Sequence, residues 1–260
     1  MRKNTGKTSS ISDTNLGNKK IKIRFITYGD RRFIKSRTRI TNEAKKLNFF
    51  DVLTTYTEKH VSKIKCFKTA METPSFAKVY NHPRGGGYWM WKPLVILEEL
   101  EKMDNEDILF YSDAGLTISN ELNTIKKFKE YKDVVNNHDT GICTWRNIHI
   151  ESKWTKADIF DHFNVLDNPE FHSTRQCSGN RHVIRKCDES VEIIRTWWST
   201  AVDHPHLFSD QPSKIPNFNN FIENRHDQSV WSMIAKMHNV AQRFDWYNDN
   251  PILLDDKKRY

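Results

Sequence analysis

Short apolar runs alternate with longer helical stripes along the 260 residues of this chain. Residues 21–28 (I-K-I-R-F-I-T-Y) alternate apolar with polar positions and stop at Gly29-Asp30, which predicts a first strand. Residues 36–47 set Ile40, Ala44 and Leu47 on one face of a helix, and residues 49–56 predict a second strand. A helical stretch around residues 60–70 leads to His82-Pro83-Arg84-Gly85-Gly86-Gly87. Residues 92–103 then predict a helix with Pro93 in its first turn, an apolar stripe of Ile96, Leu100 and Met103, and a charged back of Glu98, Glu101 and Lys102. Residues 107–115 (D-I-L-F-Y-S-D-A-G) follow, and Ile108–Tyr111 suit a strand buried on both faces. Further helices are predicted near 120–131, 155–163, 188–202 (with Trp197 and Trp198) and 227–237, and strands at 141–145 and 176–184. This alternation predicts an α/β fold with a mixed, mostly parallel sheet flanked by helices. No internal repeat or dividing linker is visible, so residues 21–260 read as a single domain.

Composition narrows the classes. With 37% hydrophobic and 28% charged residues the chain reads as globular, and no apolar stretch approaches the roughly 20 residues that span a bilayer. Residues 1–20 carry Arg2, Lys3, Lys7, Lys19 and Lys20 and lack an apolar leader core. They read as a disordered basic tail suited to peripheral contact with an anionic membrane, on a chain located in the cytoplasm. Cys66, Cys143, Cys177 and Cys187 show no C-x-x-C spacing, which argues against structural zinc and for reduced thiols. The net charge of +8 suits nucleotide diphosphates, acidic glycans or nucleic acid alike, so charge alone selects no partner.

Three constellations carry candidate chemistry. Arg84 to Pro93 (R-G-G-G-Y-W-M-W-K-P) joins glycines, whose free N–H groups would cradle an anion, to the cations Arg84 and Lys92 and the flat faces of Tyr88, Trp89 and Trp91. Buried aromatics after a glycine turn are the competing reading. Ser112-Asp113-Ala114-Gly115 leaves Asp113 at the carboxyl edge of a strand, where open α/β sheets bind ligands, although such an Asp also caps turns. Arg225-His226-Asp227-Gln228-Ser229 opens the last helix, which Asp227 or Ser229 would cap. As chemistry, His226 offers a metal ligand or phosphate donor, and Asp227 a base or sugar-hydroxyl acceptor. Between these lie Trp154 to Asp158 and Arg175 to Asn180, where Trp154, Lys156, Asp158 and Gln176 are groups of the kind that bind sugars. His138, His149, His162 and His172 show no metal spacing and read as structural.

Taken in order, I-T-Y-G-D, R-G-G-G-Y-W-M-W-K-P, D-I-L-F-Y-S-D-A-G and R-H-D-Q-S-V-W-S resemble a family of bacterial and large-virus glycosyltransferases of the GT-A fold. The resemblance implies a GT-A-like, Rossmann-like domain that moves a hexosyl or pentosyl group from a nucleotide-diphosphate sugar to a hydroxyl of a glycan or glycoconjugate acceptor. It implies Mn²⁺ or Mg²⁺ on Asp113 and His226, and a nucleotide beside Tyr28, Asp30, Arg84, Gly86, Trp89, Lys92, Ser112 and Asp113. Asp227, His226 and Gln228 become the catalytic candidates, and Trp154, Lys156, Asp158 and Gln176 the sugar or acceptor side. The chain departs from the family's D-x-D pattern, since Gly115 stands where the second acid belongs. A noncatalytic carbohydrate-binding protein explains the aromatics without the acids. A nucleic-acid-binding protein explains the charge, but no such module or interleaved basic–aromatic stripe is present, so no specific nucleic acid is expected.

Overall fold

The computed structural model describes residues 20–120, 123–244 and 252–254; the expected tail lies outside them except for Lys20. The strands are β1 (Ile23–Tyr28), β2 (Val52–Tyr56), β3 (Ile108–Ser112), β4 (Leu116–Ile118), β5 (Ile142–Ile150), β6 (Arg175–Cys177), β7 (Arg181–Arg185), β8 (Ala241–Arg243) and β9 (Ile252–Leu254). A seven-stranded sheet runs in the order β2-β1-β3-β7-β5-β6 with β8 also on β5, and β4 pairs with β9 apart from it. Every residue of β3 is buried, as its apolar run requires.

Helices cover both faces of the sheet, in the α/β arrangement that the alternation predicts. One apolar cluster packs the helices Trp91–Glu101, Asp188–Asp203 and Asp227–Met237 with Ile26, Leu109 and Ile184 of the strands. The other packs Ile34–Lys46 and Thr124–Asn136 with Phe25, Phe110 and Val183. Trp197 and Trp231 meet inside the first cluster with ring centroids 4.8 Å apart.

The sheet is evenly mixed rather than mostly parallel. β1–β2, β1–β3 and β5–β8 are parallel, while β3–β7, β5–β7 and β5–β6 are antiparallel. The connection from β5 to β6 is made of short helical turns that return the chain along the same edge, so alternation of element types does not fix direction there. The single strand expected over 176–184 is two pieces, both on β5, interrupted at Ser178, Gly179 and Asn180.

The helix expected to be amphipathic, Trp91–Glu101, is buried nearly all round, with Lys92, Leu94, Val95, Leu97 and Glu99 inside. Its buried Glu99 is satisfied by Arg24 Nη1 at 3.0 Å and by the Tyr56 hydroxyl at 2.9 Å, which fixes the helix against β1 and β2. Pro93 is its third residue, still in the first turn where an N–H has no intrahelical partner.

The last helix is anchored by another buried charge. Glu151, fully buried, accepts hydrogen bonds from Lys236 Nζ at 2.6 Å, Thr155 Oγ1 at 2.6 Å and the Ser232 hydroxyl. Glu151→Ala removes one partner of a buried ion pair and is expected to cost about 3–5 kcal/mol, read as a lower urea midpoint, with Glu151→Gln falling between.

Candidate functional site

A cleft of about 830 Å³ opens at the carboxyl ends of the parallel strands β1 and β3. Tyr28 and Asp30 line it after β1, Asp113 to Leu116 after β3, and Trp89, Trp91 and Lys92 from the glycine segment. His149, Gly179, Asn180, Arg225, His226, Asp227 and Gln228 form the opposite wall.

At its floor three charges from distant parts of the chain meet. Lys92 Nζ lies 2.5 Å from Asp227 Oδ2 and 3.3 Å from Asp113 Oδ1. Lys92 is 2% exposed and Asp227 5%, so both are almost removed from water. Burial disfavours the Lys92 ammonium, but Asp113 and Asp227 outweigh it and hold its pKa above the ordinary value. Burial pushes the Asp227 carboxyl up to about 6; Lys92 opposes the rise and the Asp113 charge adds to it. Tyr111, whose phenol burial drives well above its usual pKa, donates its hydroxyl proton to Asp113 Oδ1.

The backbone holds these groups in place. The Asp113 N–H donates to the Asn180 carbonyl at 2.8 Å, and the Leu116 N–H closes the turn onto the Asp113 carbonyl at 3.0 Å. Gly179 admits Asp227 closely, since a Cβ there would lie 3.1 Å from Asp227 Oδ2. Neither Asp227 nor Ser229 caps the last helix by a side chain: His226 holds the cap position at φ 55, ψ −119, a strained conformation for a residue with a Cβ. The Ser229 hydroxyl accepts from the Arg225 N–H at 3.0 Å and donates to the Trp154 carbonyl at 2.7 Å.

The glycine segment is not a cradle of free amides. Gly85, Gly86, Gly87, Tyr88 and Trp89 all have positive φ, from 51° to 90°, so the chain makes a left-handed turn. Its N–H groups from Gly86 to Trp89 donate to the carbonyls of Pro83, His82, Arg84 and Gly85 and are not available to an anion. The turn costs roughly 1–2 kcal/mol at each of Tyr88 and Trp89. It is held by an aromatic stack in which Tyr88 lies between His82 (4.5 Å) and His226 (5.2 Å), with Trp89 tilted beside His226 at 5.3 Å. Trp91 stacks on Tyr28 at 3.8 Å and donates from Nε1 to the Gly85 carbonyl at 3.0 Å.

Cations on the rim are tied to carboxylates. Arg84 pairs with Asp210 at 3.0 Å and Glu223 at 3.7 Å, and Asp210 Oδ1 takes a hydrogen bond from His226 Nε2 at 2.9 Å. Burial lowers the His226 pKa against the pull of Asp210, leaving a neutral imidazole that donates. Arg32 binds the Asp30 carboxylate at 2.6 Å, and Arg225 lies over the Trp154 ring at 4.2 Å.

Of the expected site residues, Tyr28, Asp30, Arg84, Trp89, Lys92, Asp113, His226, Asp227 and Gln228 converge on this cleft. Gly86 instead lines a smaller cavity of about 420 Å³ that shares Tyr28 and Asp30, and Ser112 is buried beneath the floor. Trp154, Lys156 and Asp158 do not line the cleft. Lys156 is buried and donates to the carbonyls of His206, Ser209 and Gln211, and burial lowers its pKa to about 8. Asp158 accepts the Lys214 N–H at 2.8 Å, so both residues pin a loop. Gln176 sits one layer below the wall and accepts from Gln228 Nε2 at 2.7 Å.

His149, read as structural from its spacing, lines the cleft, as do Gly179 and Arg32. Asp210 joins the site by tertiary contact alone. His182, buried between Tyr111 and Trp231 and kept neutral by burial and by Lys92, lies under the floor. No local signal marks these two.

No protein-family model matches the chain, and no curated protein matches it. Among solved structures it is similar to mouse xyloside xylosyltransferase 1 in its apo form, at 11% identity and a TM-score of 0.46, covering 86% of this chain and 84% of the other. It is also similar to a glycosyltransferase involved in glycosylating the major capsid of PBCV-1, at 11% identity and a TM-score of 0.38, over 77% and 80% of the two chains. The galactosyltransferase LgtC, solved with donor and acceptor sugar analogues, gives 9% and 0.40 over 81% and 70%. Function is therefore read from the cleft alone.

The left-handed turn supplies its own test. A Cβ on Gly87 would overlap the Tyr80 carbonyl oxygen, whereas one on Gly86 meets nothing closer than 3.7 Å. Gly87→Ala is expected to lower stability by roughly 1–3 kcal/mol, and Gly86→Ala by less, in paired chemical-denaturation curves.

Proposed function

We propose that the chain is a glycosyltransferase of the GT-A type, with residues 21–260 forming one catalytic unit. It would move a sugar from a nucleotide-diphosphate donor to a hydroxyl of a glycan or glycoconjugate. The observation that carries this reading is the Asp113–Lys92–Asp227 group, with Lys92 and Asp227 buried, at the floor of a strand-end cleft that arginines and indoles also line. Burying the Lys92 ammonium and the Asp227 carboxylate costs several kcal/mol per ion before pairing returns it, an expense that a mere sugar-binding surface does not need.

In the reaction, the bond from sugar C1 to the β-phosphate oxygen breaks and its electron pair leaves with the nucleoside diphosphate. The acceptor oxygen bonds to C1, and its proton passes to Asp227 or to the departing phosphate. The cations of the cleft offset the charge that grows on the diphosphate. Asp227 acts as a carboxylate, whether as base for the attacking hydroxyl or as acceptor for a hydroxyl of the donor sugar. Gln228, oriented by Gln176, faces the same sugar. Tyr28 and the Trp91 ring stacked on it flank the nucleotide, beside Asp30 and its partner Arg32.

A panel of UDP-, GDP- and dTDP-sugars tests this reading. One donor class is expected to raise the melting temperature and to be hydrolysed or transferred; if none does either, the reading fails. Asp227→Asn, which leaves Lys92 paired with Asp113 alone, is expected to lower turnover by about 10²–10⁴-fold and also to lower the melting temperature. Because the carboxyl must be ionised and its pKa is raised to about 6, the wild-type rate is expected to fall as pH drops through about 6. An unchanged rate between pH 7 and 5 would remove Asp227 from the mechanism.

A further inference from the structure

We infer that this cleft neutralises the donor diphosphate with its own Lys92 ammonium and arginines, and not with a divalent metal. The inference rests on the glycosyl-transfer reading and deepens it. A hard divalent cation needs several converging oxygen or nitrogen donors, of which the diphosphate supplies only some. Among the described residues no group of three or more His, Cys, Asp or Glu side chains is arranged to hold one.

The two residues expected as ligands are both engaged. Asp113 accepts the Tyr111 hydroxyl and sits 3.3 Å from Lys92 Nζ. The His226 ring is enclosed by Tyr88 and Trp89, and its Nε2 is bonded to Asp210. Lys92 already places a positive charge between two carboxylates, the work a bridging metal ion would do.

Gly115 points the same way. It stands two residues after Asp113, and a Cβ built on it meets nothing within 4 Å. Space for a second acid exists, and the acid is missing. The cations that remain are Arg32, Arg84 and Arg225, all lining the same cleft. Arg84 and Arg225 are paired with Asp210 and Glu223, carboxylates about 41% exposed, which a diphosphate can replace as partner.

The test uses the full chain with UDP, GDP and dTDP, each in EDTA or in MnCl₂. Melting temperature reads nucleotide binding, and the electron paramagnetic resonance signal of free Mn²⁺ reads metal binding. The expected result is stabilisation by one diphosphate that is the same in EDTA as in Mn²⁺, with no loss of free Mn²⁺ signal to the protein. Lys92→Met is expected to weaken diphosphate binding by about tenfold or more. Since that variant leaves the buried Asp227 carboxylate without its cation, Gly115→Asp serves as the second arm. It is expected to take up Mn²⁺ in the presence of the diphosphate where the wild type does not. Stabilisation that requires Mn²⁺, or stoichiometric Mn²⁺ on the wild-type chain, overturns the inference and leaves the glycosyl-transfer reading standing. No shift with any diphosphate in either condition overturns that reading, and the inference with it.

Discussion

Lys92 reaches the cleft from the second position of a buried helix and meets acids from the end of β3 and the start of the last helix. An ammonium so nearly excluded from water is stable only while both carboxylates stay within reach, and its charge in turn opposes the rise that burial imposes on the Asp227 pKa. Much of the surrounding structure serves that mutual dependence. Glu99, Arg24 and Tyr56 seat the Lys92 helix on the sheet. The Asn180 carbonyl holds the Asp113 backbone, and Glu151 pins the helix that begins with Asp227.

Strained backbone borders the same point. The left-handed turn from Gly85 to Trp89 and the positive φ of His226 lie on facing walls and touch through stacked rings. Each is unfavourable alone, and the packed rings of Tyr88, Trp89 and His226 hold the two against one another. The Arg84–Asp210 pair ties the two walls at the rim. The cleft is thereby pre-formed: its shape is set by packing and charge within the protein.

Periodicity made the framework legible. β1, β3 and the helices Asp188–Asp203 and Asp227–Met237 fall where their apolar patterns place them, since burial of one face or both is written into local sequence. Strand direction was not legible, because it depends on where the short helical turns after β5 return the chain. Lys92, Asp113 and Asp227 could be singled out as a cation and two acids at element ends, although their contact is long-range. The glycine segment was found for the wrong reason: three glycines permit positive φ, and the structure uses that freedom for a turn that consumes its own amides. Polar composition also misled at Lys156 and Asp158, since a loop-pinning ammonium or carboxylate has the same side chain as a sugar ligand. Asp210 and His149 enter through tertiary contact and leave no local trace.

The stacking of Trp91 on Tyr28, with Trp89 across from them beside His226, has an optical consequence. Both indoles border the cleft, whereas Trp145, Trp197 and Trp231 are sealed in the core. An aromatic base or sugar ring entering the cleft changes the surroundings of the first pair and leaves the core three untouched. The protein thus carries its own fluorophores at the place where a ligand arrives, set against a constant internal background.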